Sequence, residues 1–118
     1  MTLAIAHVTF DCEDAARLAG FWSAVLDRPV ADGASPYFAV IRPGEAAGPA
    51  LMFLKVPEAK RVKNRVHVDL TAPDWHTEVE RVLALGATKL AEYDEYGTQW
   101  ATLQDPEGNE FDIGAGHV

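Results

Sequence analysis

The chain has 118 residues and a formal net charge of −8, from ten Lys and Arg against eighteen Asp and Glu. At roughly 100–200 residues per domain that is one domain, and 48% hydrophobic with 24% charged residues excludes disorder, collagen and coiled coil as whole-chain descriptions. A surface this acidic repels phosphate backbones and anionic lipid, which argues against nucleic acid and membrane partners.

Cys12 is the single cysteine, so no intramolecular disulfide and no Cys-based zinc cage can form. A reducing, cytoplasmic compartment fits that usage. The apolar N-terminus lacks a basic lead-in and runs past His7 into Asp11, Glu13 and Asp14. It reads as a first strand and not as a signal peptide. No stretch reaches the roughly 18 apolar residues of a spanning helix.

Residues 3–11 read as a strand, rich in β-branched and apolar residues. A helix is expected over 13–27, where Leu18, Phe21, Trp22, Val25 and Leu26 form one stripe. Pro29 stops it. Two short strands are expected near 30–32 and 37–42. A flexible stretch, 43–49, leads to a fourth strand over 50–56. Residues 57–64 are a polar connector.

The pattern then restarts. Residues 65–71 alternate, with Val66, Val68 and Leu70 on one face and Arg65, His67 and Asp69 on the other. Asp74 is a suitable N-cap for a helix over 75–85, and Gly86 stands where a C′ glycine belongs. Trp22 is assigned to the core, and Trp75-His76 to surface packing. Strands are expected over 88–93, 98–104 and 110–114. Asp105-Pro106-Glu107-Gly108 is a turn before the last of them.

The order is β-α-β-β-β twice, with repeats at about 1–57 and 65–118. His7-Val8-Thr9-Phe10 is answered sixty residues later by His67-Val68-Asp69-Leu70, and Asp14 by Asp74. An internal duplication is therefore expected. The fold class is α+β: two βαβββ modules building a curved, mostly antiparallel, cup-shaped sheet with helices on its outer face.

These features resemble the glyoxalase/bleomycin-resistance/extradiol-dioxygenase superfamily, also called the vicinal oxygen chelate fold. The likeness spans the whole chain. It rests on the strand with His7, the repeated order, the segment from Lys63 to Leu70, and Asp105-Pro106-Glu107-Gly108-Asn109 entering the final strand. The chain looks most like the small bacterial glyoxalase-like domain proteins.

By position, the resemblance implies metal ligands at His7, His67 and Asp112. It implies a divalent ion (Fe, Mn, Zn or Ni), or none in relatives that only bind ligands. The alternation independently places His67 and Asp112 opposite the apolar faces of their strands. Two imidazoles and a carboxylate suit such ions. No carboxylate lies in 50–56, which disfavours true glyoxalase I activity.

The function expected is a small-molecule cup with metal-dependent lyase, isomerase or dioxygenase chemistry on a chelating oxygenated substrate. The alternative is a metal-free drug- or metabolite-binding protein. Arg65, Trp100 and Tyr37 are candidate substrate contacts, Arg65 through a pair with Asp69, Asp112 or a substrate carboxylate. Lys60, Arg61, Lys63 and Arg65 form the one basic run, read as a solvated connector or as a guide for anionic substrate. A homodimer is expected, because short sheets leave edges that need covering.

Overall fold

The computed structural model describes residues 2–44 and 48–116. It divides into two compact units, Met1–Ala59 and Lys60–Val118, one for each sequence repeat. The fold class is α+β, as the repeated pattern predicted.

The first module contains β1 (His7–Cys12), α1 (Ala15–Leu26), β2 (Phe38–Ile41) and β3 (Ala50–Lys55). β3 is central. It pairs with β1 in parallel and with β2 antiparallel. Helix α1 starts where the Asp14 carboxylate accepts the Arg17 N–H at 3.2 Å, leaving Asp14 extended. It stops at Asp27, which is left-handed with φ 53°, two residues before Pro29. Its buried stripe of Ala15, Leu18, Phe21, Trp22 and Val25 packs on β2 and β3. Trp22, Phe53, Leu18 and Ile41 are almost fully enclosed, and Phe10 bridges Trp22 and Phe53 at ring distances of 5.3 and 5.2 Å. Trp22 is core, as its place on the stripe predicted.

The second module contains β4 (Val68–Thr71), α2 (Trp75–Ala84), β5 (Thr88–Glu95), β6 (Thr98–Gln104) and β7 (Glu110–Gly114), in sheet order β4-β7-β6-β5. β4 and β7 pair in parallel; the other two pairings are antiparallel. In both modules the first and last strands are parallel neighbours, so the two share this arrangement. Phe111 and Ile113 of β7, with Ala101 and Leu103 of β6, face a core completed by Trp75, Val79 and Val82 of α2. The opposite faces of β6 and β7 are left for Thr102 and Asp112.

The turn between β6 and β7 sets that register. The carboxylate of Asp105 is buried and accepts the N–H groups of Glu107 and Asn109 at 2.9 and 3.0 Å, and the Asn109 side-chain amide at 2.9 Å. Gly108 takes φ 88° and donates its N–H to the Asp105 carbonyl. Thr102 consequently lies opposite Asp112, and Leu103 opposite Phe111.

Several boundaries differ from expectation. The first ladder starts at His7, and Leu3 and Ile5 before it are exposed. The expected strand at 30–32 is a single bridge, Val30 to Ile41. Hydrogen bonding runs within each module, giving two sheets instead of one continuous sheet. The strand expected over 65–71 is only Val68–Thr71, and Val66 is exposed. Residues 65–66 form a bend instead, and just before it the Asn64 N–H is taken by the Glu110 carboxylate at 2.9 Å. A side chain, not a strand partner, ties down the approach to β4. Asp74 flanks α2 without a side-chain cap bond; its carbonyl accepts Thr77 and Glu78 N–H instead. Trp75 is buried, against the surface reading, and stacks on His76 at 3.8 Å. Residues 45–47 of the expected flexible stretch lie outside the described residues. Among the described residues no helix is long and apolar enough to cross a membrane.

Candidate metal and ligand site in the second module

Alternation along β4 and β7 puts three polar side chains on one side of the second sheet. Asp69 and Asp112 are direct partners in the parallel ladder. His67 stands one residue before β4, two positions from Asp69. Its Nε2 lies 3.3 Å from Asp69 Oδ1 and 3.3 Å from Asp112 Oδ2. One nitrogen and two carboxylate oxygens therefore gather within 4.8 Å of one another.

The three are held unequally. Asp112 is the anchored member, with a side chain 17% exposed and its Oδ1 accepting the Thr102 hydroxyl at 2.7 Å. That bond leaves Oδ2 toward His67. Asp69 is 72% exposed and His67 39%, so both can adjust.

These side chains line a cavity of about 540 Å³, together with Thr71, Tyr96 and Trp100 among others. Trp100 is half-buried and stacks on Tyr93 at 5.1 Å, which presents a rigid aromatic wall. The wall needs the glycine opposite it. A Cβ at Gly114 would come within 2.7 Å of Trp100 Cβ and 2.6 Å of the Gln99 carbonyl oxygen.

Two residues before Asp112 on the same strand, Glu110 latches the connector. It is buried and takes Lys60 Nζ at 3.2 Å as well as the Asn64 N–H. Burial pushes its carboxyl up, but the N–H of Asn64, its own N–H and Lys60 outweigh that and hold it below the ordinary 4.5. The charged form is thus favoured by folding. Its contribution is complete above the unfolded value and is lost as pH falls through the lower folded value. A plot of melting temperature against pH should fall more steeply below about pH 4.5 for the parent than for Glu110→Gln. Superimposable acid limbs would refute this role.

Of the residues singled out from sequence, His67, Asp112 and Trp100 meet in this cavity. Asp69 joins them and was missed as a ligand, although the alternation already put it on the His67 face. Arg65 sits in the exposed bend before β4 and does not line the cavity; the ion pairs of Asp69 and Asp112 run to His67. His7 and Tyr37 belong to the first module. His7 is exposed at the start of β1, and Tyr37 is 69% exposed just before β2. In the basic run, Lys60 is committed to Glu110, while Arg61, Lys63 and Arg65 are exposed.

The donor set suits a first-row divalent ion. An imidazole nitrogen and two carboxylate oxygens are ligands such ions share, and their mutual distances leave room for one cation between them.

Comparison with known proteins gives the family. A family model described as a glyoxalase-like domain matches residues 7–114. No curated protein sequence matches the chain. Among solved structures, a glyoxalase/bleomycin resistance protein/dioxygenase family enzyme from Burkholderia phytofirmans PsJN is 20% identical. Its TM-score is 0.78, over 96% of this chain and 98% of that one. The fosfomycin resistance protein FosX from Mesorhizobium loti is 17% identical with TM-score 0.76, covering 100% of this chain and 96% of that one. FosX from Listeria monocytogenes, solved with Mn(II) and 1S,2S-dihydroxypropylphosphonic acid, is 15% identical with TM-score 0.78, covering 100% and 94%. The chain belongs to the glyoxalase-like domain family and shares the fold of these glyoxalase/bleomycin-resistance/dioxygenase structures.

Proposed function

We propose that the chain is a divalent-cation-dependent enzyme acting on a small, oxygen-chelating substrate, with lyase, isomerase or dioxygenase chemistry. The observation that carries this is the convergence of His67 Nε2, Asp69 Oδ1 and Asp112 Oδ2 at the wall of one cavity. The presence of Mn(II) in the Listeria FosX structure supports it.

A cation bound there would supply Lewis-acid polarisation of a carbonyl or enediolate oxygen. The chain's own side chains do the rest. Asp112, fixed by Thr102, and His67 hold the ion. Asp69 would supply the third and least restrained ligand atom. Trp100 stacks against a flat part of the ligand and excludes water from one side. Two carboxylates make the cation-free cavity electronegative and disfavour anionic ligands there. β3 carries no carboxylate, which weighs against glyoxalase I chemistry. A cytoplasmic homodimer belongs to the same reading, since both sheets end in open edge strands.

The stacked Trp100 favours a second reading, a metal-free binder of flat drugs or metabolites. Fluorescence separates the two. Trp22 and Trp75 are buried, so a quench by added chelating ligands that disappears in Trp100→Phe reports on this cavity. The enzyme reading expects that quench only after Mn(II), Ni(II), Zn(II) or Fe(II) is added. An equal quench in the presence of chelator would establish the metal-free reading in its place.

A further inference from the structure

A second cavity, of about 520 Å³, opens in the first module between the end of α1 and the end of β2. Arg28 and Arg42 both line it, with Asp32, Pro43 and Gly44 among the rest. The backbone brings the two arginines there. Arg28 donates its N–H to the Ser23 carbonyl, and its own carbonyl accepts the Ser23 hydroxyl. The chain then bridges from Val30 to Ile41, and Ala31 donates to the Val40 carbonyl at 2.8 Å. Residues 28–32 are thereby pinned beside 40–42.

Two facts set this cleft apart on so acidic a chain. Among the described residues neither guanidinium forms an ion pair with a carboxylate, although Asp32 shares the lining. The Arg28 Nε is also buried and has no hydrogen-bond partner among the described residues. Gly44 lies directly over the Arg28 stem; a Cβ there would be 3.3 Å from Cδ. A buried charged donor without an acceptor is costly, and native structures rarely keep one.

We propose that this cleft is a binding site for a small oxyanion, a phosphate- or carboxylate-bearing molecule, held by Arg28 and Arg42, which line it together. The planar guanidinium fork matches such oxygens in bidentate geometry. The carbonyl end of α1 and the Asp32 carboxylate both oppose an anion. One arginine is therefore insufficient, and removing either should weaken binding. All the residues that line the cleft belong to the first module.

The test uses the full chain at constant ionic strength, titrated with inorganic phosphate, acetate or chloride, read by calorimetry and melting temperature. Saturable phosphate or acetate binding is expected, and the stronger of the two identifies the source chemistry. Arg42→Ala, an exposed position, and Arg28→Lys should each weaken it by roughly tenfold or more, as loss of a charge-assisted contact does. Arg61→Ala, exposed on the connector, should bind like the parent. Non-saturable binding, binding equal to chloride, or an equal loss in Arg61→Ala would overturn the proposal.

Discussion

Asp112→Ala and His67→Ala are each expected to weaken divalent-cation binding by about 100-fold or more while the chain stays folded. The magnitude follows from hierarchy. Losing a residue that merely orients a ligand costs about 10–100-fold in metal affinity, and these are the ligands themselves. Folding survives for different reasons at the two positions. His67 is partly exposed and precedes the ladder, so its removal leaves the backbone pairing of β4 intact. Asp112 points away from the Phe111–Ile113 core, and its loss frees the Thr102 hydroxyl and the partly exposed His67 imidazole, both of which water can reach. Asp69→Ala should cost less, because that side chain is the most exposed and the least restrained. His7→Ala, measured alongside, shows whether the first-module histidine contributes as the family resemblance implies. Dialysis against Mn(II) at several concentrations gives all four affinities. Parent-like binding by both His67→Ala and Asp112→Ala would remove the site.

The largest stability effect is expected one residue away. Phe111 is fully enclosed, so Phe111→Ala should destabilise the chain by about 3–5 kcal/mol, the usual range for emptying a core aromatic site. Against a total stability of about 5–15 kcal/mol that is a large share. The urea midpoint should drop correspondingly, and Phe111→Leu should lose less. The same change should reach the site, because Phe111 holds the strand position from which Asp112 projects. Cation binding should weaken in Phe111→Ala under conditions where the chain is still folded. A urea midpoint within error of the parent would show that this side chain does not carry the second core.

Much of this was legible because side chains with strong local preferences occupy the deciding positions. The period-2 pattern of Phe111 and Ile113 against Asp112 announced which way the carboxylate faces, and the structure agrees. Trp22 and Leu18 announced the buried side of α1. The Asp105 turn was readable from proline and glycine alone. Other features depend on long-range partners that local pattern does not encode. The bond from the Asn64 N–H to Glu110, which ties down the approach to the shortened β4, joins residues forty-six apart in sequence. Trp75 looked like a surface residue because α2 has a sparse apolar stripe, yet it sits against the second core. Arg65 shared the His67 face in the alternating pattern only while the strand was assumed to begin at 65; a bend there breaks the alternation. Asp69 was visible on the correct face, but only the parallel pairing with Asp112 makes it a ligand candidate.

The central claim is a cation site built from His67, Asp69 and Asp112. The most direct test is equilibrium dialysis of the unaltered full chain, stripped by chelator and offered Fe(II), Mn(II), Ni(II) and Zn(II) in turn, with metal counted per chain by elemental analysis. The account predicts saturation at one ion per chain for at least one of these metals, with that ion lost in His67→Ala. No saturable binding of any of the four would contradict it.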